Sequence, residues 1–173
     1  AAMVQARAIT AHFAIDTYTL VVSSAYGTAS PLVGTHVHPW DTPLSATVGP
    51  GLVTTRTTQH LLQGWTGSGS APLSGVTNNT GLFYLQTNST VTWNWLTQYR
   101  LNVGAGPNGT VTVSNGWYDA GSVASLRATP NPGYHFANWT GDTIHVANPL
   151  SLTMNQAYAL VANVDLVVIR YGD

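Results

Sequence analysis

Few side chains of this 173-residue chain could perform nucleophilic, acid–base or metal chemistry. Cys, Lys and Glu are absent, so the charged residues are five Arg and six Asp. The chain therefore has no thiolate, no amine for a Schiff base and only scattered carboxylates. His36 and His38 lie two residues apart and would share one face of a strand, with Asp41 nearby. Because a third ligand at suitable spacing is missing, we expect no metal site.

The remaining polar residues form no catalytic pattern. His12, His60, His135 and His145 are isolated in the sequence, and we expect each of them at the surface or rim. The segment Gly67-Ser68-Gly69-Ser70 does not have the sequence of a nucleophile elbow and is interpreted as a flexible loop. No two Asp are placed for glycoside hydrolysis. We therefore expect no enzymatic activity and no cofactor.

The tryptophans allow two interpretations, packing in a core or stacking on a sugar ring. Trp65 and Trp139 occupy equivalent positions of an internal repeat, which favours a core role for both. Trp93 and Trp95 share one face of a predicted strand and would either pack at a junction between modules or stack on a glycan. Packing at the junction is favoured, because the second module begins within a few residues.

The sequence contains Asn-x-Ser/Thr acceptor motifs for N-glycosylation. An Asn- and Thr-rich chain produces such motifs by chance, so each is only a candidate. Asn138 precedes the predicted core residue Trp139 and is expected to face solvent, because successive strand residues alternate between faces. The four candidates are Asn78, Asn88, Asn108 and Asn138.

Charge and hydrophobicity exclude several classes of protein. Only 6% of residues are charged and the net charge is −1, so the chain has no basic face for nucleic acid and no polybasic membrane signal. A hydrophobic content of 44%, with six Trp and eight Tyr, predicts a folded chain. No apolar stretch approaches the roughly 20 residues of a membrane-spanning helix. Because the sequence opens at Ala1 without a signal peptide, we expect a secreted protein whose signal peptide has been removed.

The residue pattern predicts an all-β fold. Val, Thr and aromatic residues are frequent, and they fit the pleated surface of a sheet. Alternation indicates strands over Tyr18–Val22, Thr90–Trp95 and Thr110–Val113. The turn Pro107-Asn108-Gly109 predicts a hairpin between Leu101–Val103 and Thr110–Val113.

An internal repeat divides the chain into two tandem β-modules, expected to be β-grasp-like or sandwich-like. Tyr18–Val22 matches Tyr99–Val103, and Leu62–Gly67 matches Phe136–Gly141. Between these landmarks, we match Trp40-Asp41 with Tyr118-Asp119. The predicted boundaries are residues 1–16 (the N-terminal segment), 17–97 (module 1), 98–164 (module 2) and 165–173 (a C-terminal strand or tail). The predicted core residues are Leu20, Trp65, Leu101, Phe136 and Trp139.

Module 2 resembles the divergent internalin (InlB) B-repeat modules of bacterial and archaeal surface proteins. The resemblance covers about residues 99–164, and it extends more loosely over residues 18–98, where Pro43 stands at the usual Gly position and the loops are expanded. It implies a small all-β module used as a stalk or spacer outside the cell, with no catalytic residues to transfer. The motifs that carry it are Tyr99-x-Leu-x-Val103, Gly106–Thr110, Tyr118–Val123, Ala128–Tyr134, Phe136-x-x-Trp139-Thr-Gly-Asp142, Asn148-Pro-Leu and Met154-Asn155.

The N-terminal segment looks like the last strand of a module that is not in the sequence. Met3–Phe13 aligns without a gap to Met154–Val164, the predicted last strand of module 2. Ile9, Ala11 and Phe13 then correspond to core positions, and we expect them to contact a core. Conversely, Leu166–Ile169 resembles the opening strand of a third module.

Two functions fit this organisation. In the first, the protein is the subunit of a cell-surface filament whose copies assemble head to tail, each N-terminal segment complementing the sheet of another copy. In the second, it is a stalk or adhesin module of a larger surface protein and binds glycan or protein through the module 1 loops Val48–Gln59 and Ser68–Gly81. The expected partners are copies of the chain itself and glycans, with no nucleic acid and no membrane span.

Overall fold

A computed structural model describes residues 10–168, and these residues form strands and turns without a helix. The fold is therefore all-β, as the composition predicts. None of the described residues belongs to a helix long and apolar enough to cross a membrane. The strands are β1 (Thr17–Ser24), β2 (Thr28–Ser30), β3 (Gly34–Pro39), β4 (Thr42–Leu44), β5 (Thr47–Gly49), β6 (Leu52–Thr54), β7 (Thr58–Ser68), β8 (Ser74–Gly75), β9 (Phe83–Leu85), β10 (Ser89–Ala105), β11 (Gly109–Thr112), β12 (Gly116–Asp119), β13 (Val123–Pro130), β14 (Tyr134–Gly141), β15 (Leu150–Thr153) and β16 (Tyr158–Leu166).

One long strand, β10, belongs to both modules and lies at the centre of a nine-stranded main sheet. Its first half pairs in parallel with β1 and antiparallel with β7. Its second half pairs in parallel with β16 and antiparallel with β12. β3 completes module 1 beside β1, and β14 completes module 2 beside β16. The same strand is thus the last strand of module 1 and the first strand of module 2.

Small sheets pack against the main sheet and enclose one core in each module. In module 2, β13 lies between β11 and β15 and alternates strictly between buried and exposed residues. In module 1, the equivalent layer consists of two separate pairs, β2 with β5 and β4 with β9. Each module is therefore a two-layer sandwich, because apolar faces of both layers must be removed from water.

The strand register reproduces the repeat residue by residue. Leu20 and Leu101 are both fully buried. Each is the first residue of its strand that pairs in parallel with the last strand of its module. β7 and β14 each contain an irregularity in register just before Trp65 and Trp139, respectively. Shared register and a shared bulge show that the two modules have one topology.

Backbone hydrogen bonds correct one of the predicted matches. The N–H of Asp41 donates to Leu85, and the N–H of Gly121 donates to Met154 in the same place of module 2. Asp41 and Gly121 also both have positive φ, at 64° and 82°. Asp41 is therefore equivalent to Gly121.

Two predicted matches were thus wrong by two residues. One is the match of Trp40-Asp41 with Tyr118-Asp119, and the other is the match of Pro43 with the usual glycine. Tyr118 pairs with Tyr99, whereas the residue that pairs with Tyr18 is His38. The error arose because an aromatic residue followed by Asp is a weak landmark in a chain rich in aromatic residues.

The predicted hairpin around Pro107-Asn108-Gly109 was also wrong. β10 and β11 do not pair with each other; β11 pairs with β13 in the small sheet. The turn therefore connects the two packed layers rather than two neighbouring strands. A tight turn fixes the change of chain direction, but the apolar faces of β10 and β11 decide that the strands stack instead of pairing.

Candidate functional site: two exposed apolar ends

The described part of the N-terminal segment exposes large apolar side chains. Residues 10–16 form no strand, and Ala11 is exposed. Phe13 is 95% exposed and Ile15 is 74% exposed. Ile9, the third residue expected to contact a core, lies outside the described residues. Within the described residues of a single chain, Ala11 and Phe13 therefore do not pack in a core.

The opposite end of the molecule also exposes apolar side chains. β16 ends at Leu166, which is 59% exposed, and the next two residues, Val167 and Val168, are 47% and 72% exposed. The N–H of Val167 donates to Gly133, which holds this end against the turn before β14. Exposed apolar side chains that lie close together are typical of surfaces that contact another segment or molecule.

One edge of β16 is left without a partner near this end. On one side, β14 pairs with β16 as far as Leu166. On the other side, the pairing with β10 stops at Ala162. Within residues 10–168, no strand pairs with Asn163–Leu166 on that second side. We call this stretch the open edge of β16.

The junction between the modules shows the corresponding side of β10. The stretch Asn94–Thr97, which is equivalent to Asn163–Leu166, has no strand on this side within the described residues either. Beyond it, β12 pairs with β10 from Gln98 to Leu101. The carbonyl of Thr97 accepts a hydrogen bond from Ala120, and the N–H of Arg100 donates to Thr57 of module 1. The junction is thus closed by elements of both modules.

Side chains at the junction extend this connection. Gln59 donates to Gln98, and Gln98 donates to Asp119 over 2.7 Å, which links β7, β10 and β12. The guanidinium of Arg100 lies 5.5 Å from the centre of the Trp117 ring, within the range of a cation–π contact. The bond between Gln59 and Gln98 thus joins the two modules, and the other two contacts hold β12 against β10.

An aromatic cluster near the junction was not anticipated. The rings of Tyr26 and His60 stack with centroids 3.5 Å apart, and Tyr26 meets Trp95 edge to face at 6.0 Å. His60 is only 9% exposed, and its Nδ1 lies 3.0 Å from the Thr97 hydroxyl. The expectation of a surface or rim position for His60 was therefore wrong. No sequence spacing reveals this cluster, since Tyr26 and Trp95 meet only through the parallel pairing of β1 with β10.

The predicted core residues lie in two clusters. Leu20 and Trp65 belong to the module 1 cluster, at 0% and 4% exposure. Leu101 and Trp139 are fully buried in the module 2 cluster. Phe136 is half-buried, and its ring centroid is 5.5 Å from that of Trp139.

The second tryptophan pair is divided by an irregularity in register between Asn94 and Trp95. Trp93 is 3% exposed and lies opposite Trp65 in the core of module 1. Trp95 is half-buried, and its Nε1 donates to the Ser24 hydroxyl over 3.1 Å. Both rings are therefore occupied by packing within the chain.

The four glycosylation candidates differ in their surroundings. Asn78, Asn88 and Asn108 are exposed. Asn138 is half-buried, and its Oδ1 accepts a hydrogen bond from Asn163 over 2.8 Å. Asn138 lies on the opposite face from the buried Trp139, as predicted, but it is only partly open to solvent because the side chain of Asn163 lies beside it.

The histidine pair is not part of a metal-binding cluster. Among residues 10–168, no three His, Cys, Asp or Glu lie close enough together to hold a metal ion. Nε2 of His36 lies 2.6 Å from the Leu32 carbonyl, and Nε2 of His38 is buried. Both histidines lie in strand β3.

A shallow open pocket lies on the outer face of the main sheet in module 2, between β10 and β16. Asn102, Asn115 and Asp142 supply its polar side chains, and small residues such as Gly104 form its floor. Asp142 accepts a hydrogen bond from the Ala159 N–H over 2.7 Å. The amide of Asn115 bonds both the N–H and the carbonyl of Val103. Asp142 and Asn115 are thus bonded to the backbone, whereas Oδ1 of Asn102 accepts from the Arg100 Nε over 3.3 Å.

The comparison with known families reaches part of the chain. Residues 99–165 match the divergent InlB B-repeat domain. The match begins in the second half of β10 and ends in β16, so it covers module 2 and confirms the resemblance there. B-repeat domains occur in surface proteins, which indicates that this part of the chain is an extracellular surface-protein module. No curated protein matches the chain.

The B-repeat match does not include module 1. Nevertheless, module 1 shares the strand order, the register and the bulge of the B-repeat module. Its differences lie in the loops and in the divided small sheet.

Proposed function

We propose that the protein is a structural subunit of an extracellular filament that assembles head to tail. The N-terminal segment of one copy pairs with the open edge of β16 in another copy. The observations that carry this proposal are the edge of β16 at Asn163–Leu166, which has no strand on its β10 side within residues 10–168, and the exposure of Phe13 and Ile15 (95% and 74%).

Both surfaces have the chemistry that strand addition requires. An unpaired strand edge presents N–H and C=O groups that accept an extended segment by β-augmentation. Phe13 and Ile15 on one side, and Leu166 and Val168 on the other, are apolar side chains that lose water on contact. Burial of each large apolar side chain contributes roughly 1.5–3 kcal/mol.

The proposed contact adds a strand and replaces none. Both modules already contain their last strand, β10 in module 1 and β16 in module 2. The incoming segment therefore extends the main sheet at its end. Because the donor and acceptor surfaces differ, the contact is heterologous and propagates into a filament unless it closes a ring.

Electron microscopy and analytical ultracentrifugation of the full chain test this proposal. We expect filaments of the unmodified protein, and single particles after deletion of residues 1–13 or in the double variant Phe13→Asp/Ile15→Asp. The matched control is Leu73→Asp/Val76→Asp, which removes two apolar side chains of similar exposure (78% and 87%) from a module 1 loop. The control should form filaments.

Single particles of the unmodified protein, or filaments that persist in Phe13→Asp/Ile15→Asp, would contradict the proposal. Circular dichroism of every variant establishes that each retains its β structure, so that loss of filaments is not loss of folding.

A second function, a stalk or adhesin module, is supported by the module 1 loops. Leu73, Val76 and Leu82 are 78%, 87% and 66% exposed, and they lie in or beside the long loop Ser68–Gly81. An apolar loop surface of this kind is typical of a binding site for another molecule. On this alternative, Leu73→Asp/Val76→Asp abolishes binding to glycan arrays or to a surface protein, and the deletion of residues 1–13 does not.

A further inference from the structure

We propose that Asn108 is the N-glycosylation site of the folded protein, and that hydrogen bonding or burial of their acceptor groups disfavours the other three motifs. This proposal depends on the extracellular location of the module but is independent of filament assembly. The motif Asn108-Gly109-Thr110 lies at the turn between the two layers of module 2.

N-glycosylation of a folded chain requires two accessible groups. The enzyme must reach the amide nitrogen of the Asn and the hydroxyl of the Ser or Thr two residues later. Asn108 and Thr110 are both exposed. Within residues 10–168, neither side chain takes part in a hydrogen bond; the backbone carbonyl of Asn108 accepts from Asn131 and leaves the amide group free.

Hydrogen bonds engage side chains of two other motifs. Asn88 and Thr90 are exposed, but the Oδ1 of Asn88 accepts from the Thr19 N–H over 2.9 Å, and the Thr90 hydroxyl lies 2.7 Å from that of Ser68. In the Asn138 motif, the amide of Asn163 donates to Asn138 over 2.8 Å and to Thr140 over 2.9 Å.

The motif that begins at Asn78 has an exposed Asn but a buried hydroxyl. Thr80 is 8% exposed, and its hydroxyl donates to Gly81 and accepts from the Ala46 N–H over 2.9 Å. A glycosylation enzyme could reach this hydroxyl only after local unfolding of the loop.

Comparison with module 1 shows how the turn lies against the main sheet. In its contacts, Gly27 of module 1 corresponds to Gly109: a Cβ on Gly27 would lie 3.1 Å from the Trp95 ring, and one on Gly109 would lie 3.2 Å from Val164, which takes the place of Trp95. The residue before Gly109 is Asn108, which has a positive φ of 66° and an exposed side chain.

The sugar comes from a lipid-linked oligosaccharide, which is the co-substrate of the transfer reaction. A bond forms between Nδ2 of Asn108 and C1 of the first sugar. The bond between C1 and the phosphate oxygen of the lipid carrier breaks, and the lipid phosphate leaves with the electron pair. One proton leaves Nδ2 and passes to the base of the transferase. No oxidant or reductant is needed.

The folded full chain is incubated with an oligosaccharyltransferase of Asn-x-Ser/Thr specificity and its lipid-linked oligosaccharide, and glycopeptides are then quantified by mass spectrometry. We expect the glycan occupancy of Asn108 to exceed that of each other motif by at least about ten-fold. This is the ratio expected if the other motifs must open locally at a cost of about 1.4 kcal/mol before they can be modified. Four synthetic peptides, one for each motif, serve as the unfolded reference.

Matched variants separate accessibility from folding. Thr110→Ala removes the hydroxyl and should abolish modification, whereas Thr110→Ser should retain it. Asn108→Gly removes the acceptor amide but keeps a residue that tolerates positive φ. Equal occupancy of all four motifs in the folded chain, or no modification of Asn108 where its peptide is accepted, would overturn the proposal.

The turn at Asn108 lies beside the end of β16, since a Cβ on Gly109 would be 3.2 Å from Val164. Filament formation is therefore assayed separately on unmodified and glycosylated protein. Failure of assembly in unmodified protein concerns the filament proposal alone, and the occupancy ratio concerns Asn108 alone.

Discussion

Module 1 and module 2 share one strand topology but close their small sheets differently. In module 2, β13 is continuous, and Leu126 pairs with Leu150 in the ladder with β15. In module 1, the equivalent strand is divided into β4 and β5, and Ala46 between them is bonded instead by the backbone and hydroxyl of Thr80. The long loop of module 1 therefore supplies hydrogen bonds that a regular strand supplies in module 2.

The modules also differ in how they satisfy buried polar groups. The indole N–H of Trp139 donates to the Ala147 carbonyl over 2.9 Å. The equivalent Trp65 is buried, and its Nε1 has no hydrogen-bond partner among residues 10–168; the same holds for Trp93. A buried donor without a partner costs about 1–3 kcal/mol. At its central tryptophan, module 2 is thus the better satisfied module.

The largest expected effect comes from removal of the central tryptophan of either module. Trp65→Ala and Trp139→Ala should each lower the free energy of unfolding by about 3–5 kcal/mol, because each leaves a large cavity. Urea unfolding followed by circular dichroism measures the loss. Hydrogen exchange should locate the effect of Trp139→Ala in β14, β16 and the second half of β10; uniform loss of protection in both modules would show that they unfold as one unit.

A smaller effect is expected from the side chains that close the small sheets. In module 2, the amide of Asn148 bonds both the N–H and the carbonyl of Ala128. In module 1, the Thr80 hydroxyl bonds Ala46. Asn148→Ala and Thr80→Val should each cost about 1–3 kcal/mol of unfolding free energy, because buried backbone groups lose their partners. Urea titrations measure both, and a negligible cost of Thr80→Val would contradict a structural role of the module 1 loop.

Substitution of Phe for the same tryptophans isolates the indole hydrogen bond. Trp139→Phe leaves the Ala147 carbonyl without its donor, whereas Trp65→Phe removes a donor that has no partner. We expect Trp139→Phe to be more destabilising by about 1 kcal/mol, since the lost ring volume is the same in both variants. Thermal and urea unfolding of the pair give this difference directly, and equal losses would refute the assigned role of the Ala147 bond.

The smallest effect concerns the turn that begins the small sheet. Gly121→Ala should cost about 1 kcal/mol, because alanine is strained at the positive φ of 82°. Asp41→Gly should be neutral or stabilising by a few tenths of a kcal/mol, since it relieves the same strain and loses one exposed hydrogen bond to Gln86. Differential scanning calorimetry of the two variants tests these opposite signs.

Much of the fold could be predicted from the sequence because its signals are local. Alternation of apolar residues predicts the strands around Leu20 and Leu101, and repeated landmarks predict two similar modules. The spacing of Phe136 and Trp139 carries the resemblance that the family match confirms over residues 99–165. These features depend on neighbouring residues along the chain, whose faces are set by the period of a strand.

The errors concern pairings between distant residues. The Pro107-Asn108-Gly109 turn did not reveal whether its flanking strands pair or stack, and an aromatic-Asp dipeptide did not reveal that Asp41 takes the place of Gly121. The burial of His60 against Tyr26 was invisible for the same reason. Backbone hydrogen bonds between strands decide such matches, and these bonds are independent of the spacing in the sequence.

The sequence by itself determined an all-β chain of two repeated modules with few groups for chemistry. Only the tertiary structure decided that β10 serves both modules and that Asn163–Leu166 of β16 has an unpaired edge within the described residues. It also decided that Asn108 is free where Asn88 and Asn138 are hydrogen-bonded. The physical reason is that a segment forms a strand because of the pattern of its own residues. The partners of that strand depend on contacts between segments far apart in the chain. The same contacts decide which strand edges stay unpaired and which side chains stay accessible.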